Sequence, residues 1–269
     1  MSLTLDHLVI LVHDLEQTIA DYTALGFTVQ RGGTHADGAT HNALVGFADG
    51  SYLELIAFLK SAPQHRWAKA NDTGNEGFVD FALLPSSVGA VVDAARGRGL
   101  AYDGPLDGGR VRPDGERLAW QIGTPPSPDL PFLCGDLTPR ALRVPEGEVR
   151  VHRNGVQGVA TLTLAVTDLD ASLARYRTLL GPEATRGANP IPLPGLGVRI
   201  ASLTLGTSTL VLVSPGPQAD DAAGSTLRRR LAQRGDGLLA ITLRSTAALA
   251  AGSLPLPLTH GARIELDPV

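Results

Sequence analysis

The chain has 269 residues, a net charge of −4 and ordinary fractions of apolar (43%) and charged (19%) residues, as expected for a folded protein of about two domains. Its single cysteine, Cys134, excludes an internal disulfide framework and predicts a reducing compartment, with the cytoplasm as the expected location. The sequence has no basic block and no apolar run of roughly 18 residues, so neither a nucleic acid nor a membrane is an expected partner.

The predicted elements begin with an apolar strand near the amino terminus that contains Asp6 and His7. Asp14 is predicted to cap the next helix, because a carboxylate accepts the free backbone N–H groups of a first helical turn, and the helix is predicted to end near Gly26. Three short strands are then predicted: 27–30, 42–47 and 52–58. The stretch GGTHADGATHN is predicted as a loop beside these strands, and the whole reads as a β-α-β-β-β unit.

A second unit is predicted over about 77–134, because a shift of 73 residues lays FVDFALLPSSVGAVVDAARGRGL on the first strand and helix. Ser87 takes the place of the capping aspartate, and Gly99 ends the alanine-rich helix. The stretch that follows contains PRALRVPEGEVRVHRNG and lacks periodicity, as a linker would. The predicted division is one domain over 1–137, a linker over 138–158 and a second domain over 159–269.

A shift of 154 residues repeats the first strand and helix in the second half of the chain. LTLAVTDLDASLARYRTL lies on LVILVHDLEQTIADYTAL, so Asp168 becomes the N-cap of a helix that ends near Gly181. A loop rich in Pro and Gly is predicted over 190–197. The remaining predicted elements are strands over 197–205, 209–214, 238–244 and 262–266 and a short helix near 247–251, which leaves the last unit abbreviated.

Several short motifs accompany these units: Asp6-His7, Gly32-Gly33-Thr34-His35, Thr40-His41-Asn42-Ala43, Tyr52-Leu53-Glu54-Leu55-Ile56, Leu130-Pro131-Phe132, Thr138-Pro139-Arg140 and His152-Arg153-Asn154-Gly155. With the paired units, they make the sequence resemble the vicinal oxygen chelate superfamily, which includes glyoxalase I, extradiol dioxygenases and bleomycin-sequestering proteins. It is similar in particular to glyoxalase-like domain proteins. The resemblance implies an α+β fold of four βαβββ-type units, paired into two glyoxalase/bleomycin-resistance/dioxygenase-like domains with cup-shaped sheets.

In such folds a metal lies in the cup and takes ligands from the first and fourth strands of each unit. The resemblance therefore nominates His7 and Glu54 in the first unit. The 73-residue shift nominates Asp80 in the second unit, whose fourth strand near 132–134 has neither Glu nor His. The predicted metal ligands are thus His7, Glu54 and Asp80, a set that suits a divalent ion such as Zn, Ni, Mn or Fe.

His35 and His41 are alternative third ligands and, together with Glu54, the predicted catalytic residues. Each candidate also has a structural interpretation. The two histidines could tie a polar turn, and Glu54 could point to solvent because side chains alternate along a strand. Asp80 could be an edge-strand charge.

The second copy lacks corresponding ligands. Thr161 stands where His7 stood, and Val211 stands where Glu54 stood. Leu238 takes the equivalent place in the last unit. A threonine and two aliphatic side chains cannot hold a divalent metal, so the second domain is predicted to be structural or to complete a pocket.

Two functions remain open at this point. The first is a metal-dependent lyase or isomerase, glyoxalase-like or dioxygenase-like, that acts on a small substrate with vicinal oxygens in the cup of the first domain. The alternative is a metal-free protein of the resistance or sequestration type that binds a small molecule in the same cup. Both predict a small-molecule partner and a chain that is a monomer or a homodimer. The sequence has no nucleotide-binding or serine-hydrolase motif.

Overall fold

The structure is a computed structural model that describes residues 3–112, 114–217, 222–247 and 252–268. The strands of the first half are Thr4–Leu11 (β1), Gln30–His35 (β2), Thr40–Gly46 (β3), Tyr52–Phe58 (β4), Gly77–Leu84 (β5), Asp103–Val111 (β6), Arg117–Thr124 (β7) and Phe132–Asp136 (β8). Its helices are Leu15–Ala24 (α1), Ala68–Asp72 (α2) and Val88–Gly97 (α3).

A short helix, Arg140–Arg143 (α4), and a 3-10 turn, Gly147–Arg150, connect the first half to the second. The strands of the second half are Val156–Ala165 (β9), Ile191–Leu193 (β10), Val198–Leu205 (β11), Ser208–Pro215 (β12), Gly237–Ser245 (β13), Gly252–Ser253 (β14) and Ile264–Pro268 (β15). Its helices are Leu169–Leu180 (α5) and Ala222–Arg234 (α6), with a 3-10 turn at Pro194–Leu196.

Three helices begin at the caps that the sequence predicts. The side chain of Asp14 accepts a hydrogen bond from Gln17 N at 3.0 Å, and that of Asp168 accepts one from Ala171 N at 3.0 Å. Ser87 caps α3 in the same way. Each cap satisfies a backbone N–H that the first turn leaves free, and so fixes where the chain leaves the preceding strand.

The strands of the first half close into a barrel in the order β1-β4-β3-β2-β6-β7-β8-β5. β1 pairs in parallel with β4 and antiparallel with β5, and β2 pairs with β6. The two βαβββ units therefore meet along two seams. Because side chains alternate along each strand, the inward residues of all these strands face one enclosed space.

The strands of the second half form an open sheet in the order β10-β11-β12-β9-β13-β15-β14. β9 pairs in parallel with β12 and antiparallel with β13, as β1 does with β4 and β5. The register also repeats, since His7 lies opposite Tyr52 and Thr161 lies opposite Thr209. The predicted α+β fold, with two glyoxalase-type domains and an abbreviated last unit, is confirmed.

The structure differs from the sequence predictions in several connections. β2 begins at Gln30 and continues to His35, so the predicted loop GGTHADGATHN is a hairpin whose turn covers only 36–39. A bulge between Arg31 and Gly33 lets the strand run on through its glycines. The predicted loop over 190–197 contains β10 and a 3-10 turn. Most of the short helix predicted near 247–251 lies outside the described residues.

Buried apolar side chains from both sheets form one continuous core. The helices contribute fully buried tyrosines to it, Tyr22 from α1 and Tyr176 from α5. The two halves are therefore held together by apolar packing as well as by the connecting segment. None of the helices in the described part of the chain is both long enough and apolar enough to cross a membrane.

Candidate functional site

The interior of the barrel contains a cavity of about 300 Å³ that is partly open to solvent. Every second residue of β3 and β4 faces it, as alternation along a strand requires. These inward-facing residues are Thr40, Asn42, Leu44, Tyr52, Glu54 and Ile56. His7 enters from β1 and His35 from the end of β2, which places two imidazoles beside the carboxylate of the β4 motif.

Glu54 is the acidic centre of the cavity and is only 6% exposed. Its Oε1 accepts a hydrogen bond from Asn42 Nδ2 at 2.6 Å and lies 3.5 Å from His35 Nε2. Its Oε2 lies 3.4 Å from His7 Nε2. Burial by itself would raise the pKa of Glu54, but the bonds to His35 and His7 outweigh it and hold that pKa well below its usual range. The carboxylate is therefore ionised, and its bonds to His35 and His7 offset the cost of burying the charge.

His7 is held between two carboxylates. Its Nδ1 bonds Asp6 Oδ2 at 2.7 Å, which turns Nε2 toward Glu54. The ring stacks on Tyr52 at 4.5 Å between centroids and meets the edge of Phe132. Burial lowers the pKa of His7, and the bonds to Asp6 and Glu54 raise it by more, so that its pKa lies above the ordinary value. The surroundings of His7 therefore stabilise its protonated form more than water does.

Asp6 is fully buried and is anchored by two arginines from α4. Arg143 Nη1 donates to its Oδ2 at 2.8 Å, and Arg140 Nη1 lies 2.6 Å from its Oδ1. Arg143 also donates to the hydroxyl of Tyr52 and pairs with Asp136. Burial raises the pKa of Asp6, but Arg143 and the other partners lower it far below its usual range. The segment after the barrel thus fixes the residue that orients His7.

His35 is oriented by its own hairpin. Its Nδ1 lies 2.8 Å from Thr40 Oγ1, which leaves Nε2 facing Glu54. The edge of the ring meets Trp120 at 6.1 Å between centroids. The backbone of His35 pairs directly with that of Arg110 in β6, and both side chains line the cavity.

Aromatic side chains form the opposite wall of the cavity. Trp67, Trp120 and Phe132 line it, and the first two are the only tryptophans of the chain. The indole of Trp120 lies over Gly108 on the paired strand β6, where a Cβ atom would collide with the ring. Cys134 from β8 also lines the cavity, and burial raises the pKa of its thiol. The wall offers a planar apolar surface to a ligand.

Asp80, predicted as a metal ligand, is not among the residues that line the cavity. Its Oδ2 accepts a hydrogen bond from Trp67 Nε1 at 3.0 Å and lies 2.6 Å from an Arg66 guanidinium nitrogen. In the antiparallel β1–β5 pairing, Asp80 lies opposite Val9, whereas His7 lies opposite Ala82. Asp80 instead anchors the segment that carries Trp67.

His41, predicted as a catalytic residue, also lies outside the cavity. Its neighbours Thr40 and Asn42 face inward, so alternation along β3 turns His41 to the outer face of the barrel. Among the predicted catalytic residues, the structure therefore brings together Glu54 and His35, and it adds His7 from the predicted metal set.

The resemblance implies a divalent metal, and the donor set tests whether one would fit. With Asp80 bound to Arg66 and Trp67, the set His7, Glu54 and Asp80 leaves only His7 and Glu54, which face each other. The alternative third ligand His35 has its Nε2 3.5 Å from Glu54 Oε1. Among the residues that the structure describes, no three His, Cys, Asp or Glu side chains form a group that could hold a metal ion as they stand. The set that includes Asp80 therefore does not fit a resident metal.

Sequence reasoning assigned no role in the site to Asn42, Tyr52 or Arg110. Asn42 and Tyr52 could have been identified from the sequence, because they occupy alternate positions on the same inward face of β3 and β4 as Glu54. Arg110 could not have been identified in this way, because the sequence of β6, DGPLDGGRV, contains glycines and a proline that are uncommon in strands.

The comparisons with known proteins agree with this architecture. A glyoxalase-like domain model matches residues 5–180. A hypothetical protein from Staphylococcus aureus has a similar structure, with a TM-score of 0.73 at 12% identity over 100% of both chains. A mutant of 4-hydroxymandelate synthase from Streptomyces coelicolor has a TM-score of 0.57 at 14% identity, over 92% of this chain and 72% of that one.

A xylose isomerase-like TIM barrel/4-hydroxyphenylpyruvate dioxygenase fusion protein has a TM-score of 0.56 at 17% identity, and the match covers 91% of this chain and 37% of that one. No curated protein matches the sequence. Identities this low establish the fold alone, while the domain model covers more than half of the chain. The chain therefore belongs to the glyoxalase-like domain family of the vicinal oxygen chelate superfamily.

Proposed function

We propose that the barrel of the first half binds a small molecule that has a planar apolar body and a hydrogen-bond donor, and that it does so without a resident metal. The observation that carries this proposal is a buried, ionised carboxylate, Glu54, that faces an aromatic wall across a partly open cavity. A cavity of about 300 Å³ is at the small end of the range for ligand pockets. It suits a single-ring molecule.

The state of Glu54 favours recognition of a ligand over proton transfer by this carboxylate. A general base works best when its pKa lies near the working pH. The pKa of Glu54 is held well below its usual range, which makes it a poor general base. Glu54 is thus a fixed acceptor for a ligand N–H or O–H, and His7 and Asn42 hold it in place.

A metal-dependent lyase or isomerase is the second candidate. One observation favours it: His7 and His35 both direct Nε2 at Glu54, while Asp6 and Thr40 hold their Nδ1 atoms. Histidine ligands of metals are commonly oriented by such partners. With His35 in place of Asp80, the donors would be two imidazoles and a carboxylate. These three side chains would have to move closer to one another before they could bind an ion. As they stand, no three His, Cys, Asp or Glu side chains among the described residues form a group that could hold one.

A binding experiment tests the first candidate. Benzyl alcohol is titrated into the protein while the two indole N–H resonances are followed by NMR, since both tryptophans line the cavity. We expect both resonances to shift, and we expect Glu54→Gln to weaken binding about tenfold, because a hydrogen bond to a charged acceptor is lost. His41→Ala is the matched control and should bind as the wild type does.

Metal analysis separates the two candidates. The purified wild type, His7→Ala and Glu54→Gln are assayed for bound Zn, Ni, Mn and Fe. The first candidate predicts no stoichiometric metal in any of them. One equivalent of metal in the wild type that is lost in both variants would overturn the first candidate in favour of the second.

In the binding experiment, unshifted indole resonances at high concentrations of benzyl alcohol would reject the proposed binding site.

A further inference from the structure

We infer that the ligand of the barrel also carries an anionic group, a carboxylate or similar oxyanion, and that Arg110 binds it. This inference rests on the proposed function, because it concerns the same cavity. It names the class of ligand as small aromatic acids. The starting point is the state of the Arg110 side chain, which lines the cavity and is only 4% exposed.

The hydrogen-bond partners of Arg110 are neutral. One guanidinium nitrogen donates to the backbone carbonyl of Gly32, and the other donates to the carbonyl of Arg143 at 2.8 Å. Among the residues that the structure describes, no carboxylate lies within ion-pair distance of Arg110. Glu54, in the same cavity, contributes only an attraction through space. Arg110 is thus a buried cation without a contacting counter-ion.

The neighbouring arginines show that this is unusual within the site. Arg143 and Arg140 pair with Asp6, and Arg66 pairs with Asp80. A buried charge is costly unless an opposite charge lies beside it. The burial of Arg110 lowers its pKa, as expected when desolvation is not repaid by a contacting anion. A ligand carboxylate would supply the missing charge, and a guanidinium binds a carboxylate well because two N–H donors match its two oxygens.

The position of Arg110 agrees with a ligand that has two polar groups. Arg110 and His35 are paired residues of β6 and β2, and His35 faces Glu54. A cation without a counter-ion and an anionic acceptor therefore both line the cavity, facing the aromatic wall. An aromatic ring with a carboxylate for Arg110 and a donor for Glu54 satisfies all three surfaces.

The test compares 3-hydroxybenzoate with 3-hydroxybenzamide, its neutral isostere, in the NMR titration of the indole resonances; both carry a hydroxyl donor for Glu54. We expect the wild type to bind 3-hydroxybenzoate about tenfold more tightly, in line with the strength of a charge-assisted hydrogen bond. Arg110→Met should abolish this preference, since an apolar side chain cannot discriminate charge. Arg110→Lys should retain part of the preference. Arg112→Met is the control, because Arg112 follows β6 and does not line the cavity.

The outcomes separate the two proposals. If benzyl alcohol and 3-hydroxybenzamide bind but the wild type does not prefer 3-hydroxybenzoate, the inference is wrong and the proposed function stands. The same holds if the preference survives in Arg110→Met. If none of the three probes binds, the proposed function fails, and this inference fails with it. The wild-type comparison decides the matter even if Arg110→Met does not fold.

Discussion

The two halves of the chain share one strand pattern and differ in what that pattern encloses. β1 and β4 pair in the same parallel register as β9 and β12. In the first half, this pair belongs to a closed barrel and carries His7 and Glu54 toward a cavity. In the second half the sheet is open, and Thr161 and Val211 at the matched positions are partly exposed.

The difference shows that the repeat encodes the scaffold and not the site. A buried carboxylate and imidazole need partners that other elements supply, such as Asn42 from β3 and Asp6 with its arginines from α4. They also need a second unit that closes the barrel and removes water. Where the last unit is abbreviated, neither condition holds, and the matched positions carry small or aliphatic side chains.

Exchanging the matched residues should produce the largest effect. Glu54→Val gives the barrel the residue of the second sheet, and it leaves His7 and Asn42 without their acceptor. We expect it to cost about 3–5 kcal/mol of unfolding free energy, the usual effect of removing one partner of a buried pair. The reverse change, Val211→Glu, should cost under about 1 kcal/mol because the position is partly exposed. Urea unfolding measures both, and equal costs would contradict the comparison.

The pH dependence of stability should come from the barrel. The pKa of Glu54 is depressed in the folded state, so its contribution is present above its unfolded value of about 4.3 and is lost as the pH falls below it. The pKa of His7 is raised, so its contribution is present below about 6.5 and is lost as the pH rises through the folded value.

Unfolding free energies of the wild type and of a Glu54→Gln/His7→Gln double variant, measured across this range, test the assignment. The wild-type curve should fall more steeply at both ends. Parallel curves would show that the two groups do not set the pH dependence.

The smallest effect is expected from Gly32→Ala, which should disturb only the hydrogen bond that Asn42 donates to Glu54. A Cβ atom at Gly32 would collide with Asn42 Oδ1, whose Nδ2 holds Glu54. We expect Gly32→Ala to weaken benzyl alcohol binding by about tenfold at most, the worth of one charge-assisted hydrogen bond. Gly97→Ala on α3 meets nothing within 4 Å and is the control. Unchanged binding by Gly32→Ala would remove Asn42 from the site.

The fold could be read from the sequence because it depends on repeated local patterns. Asp14 and Asp168 mark equivalent helix starts, and the strands before them have the same apolar pattern. His7, His35 and Glu54 could be chosen because short motifs carry them. Alternation along β3 would also have excluded His41, since Asn42 and Glu54 share the inward face.

Other parts of the site depend on contacts that local patterns do not contain. Asp80 pairs with Val9 of β1 and is held by Arg66 and Trp67, which lie outside its own strand. The partners of Arg110 come from β2 and α4, far away in sequence. Such placements follow from how the barrel closes, which no single segment specifies.

Because of its position, Cys134 can report how often the barrel opens. It is the only cysteine, it is 3% exposed, and it lines the cavity wall on β8. Because burial raises the pKa of its thiol, the reactive thiolate is scarce while the barrel is closed. A thiol reagent that is too bulky to enter the cavity should therefore react only when the barrel opens, and the labelling rate then measures that opening. A molecule bound in the cavity would slow that rate by holding the strands together.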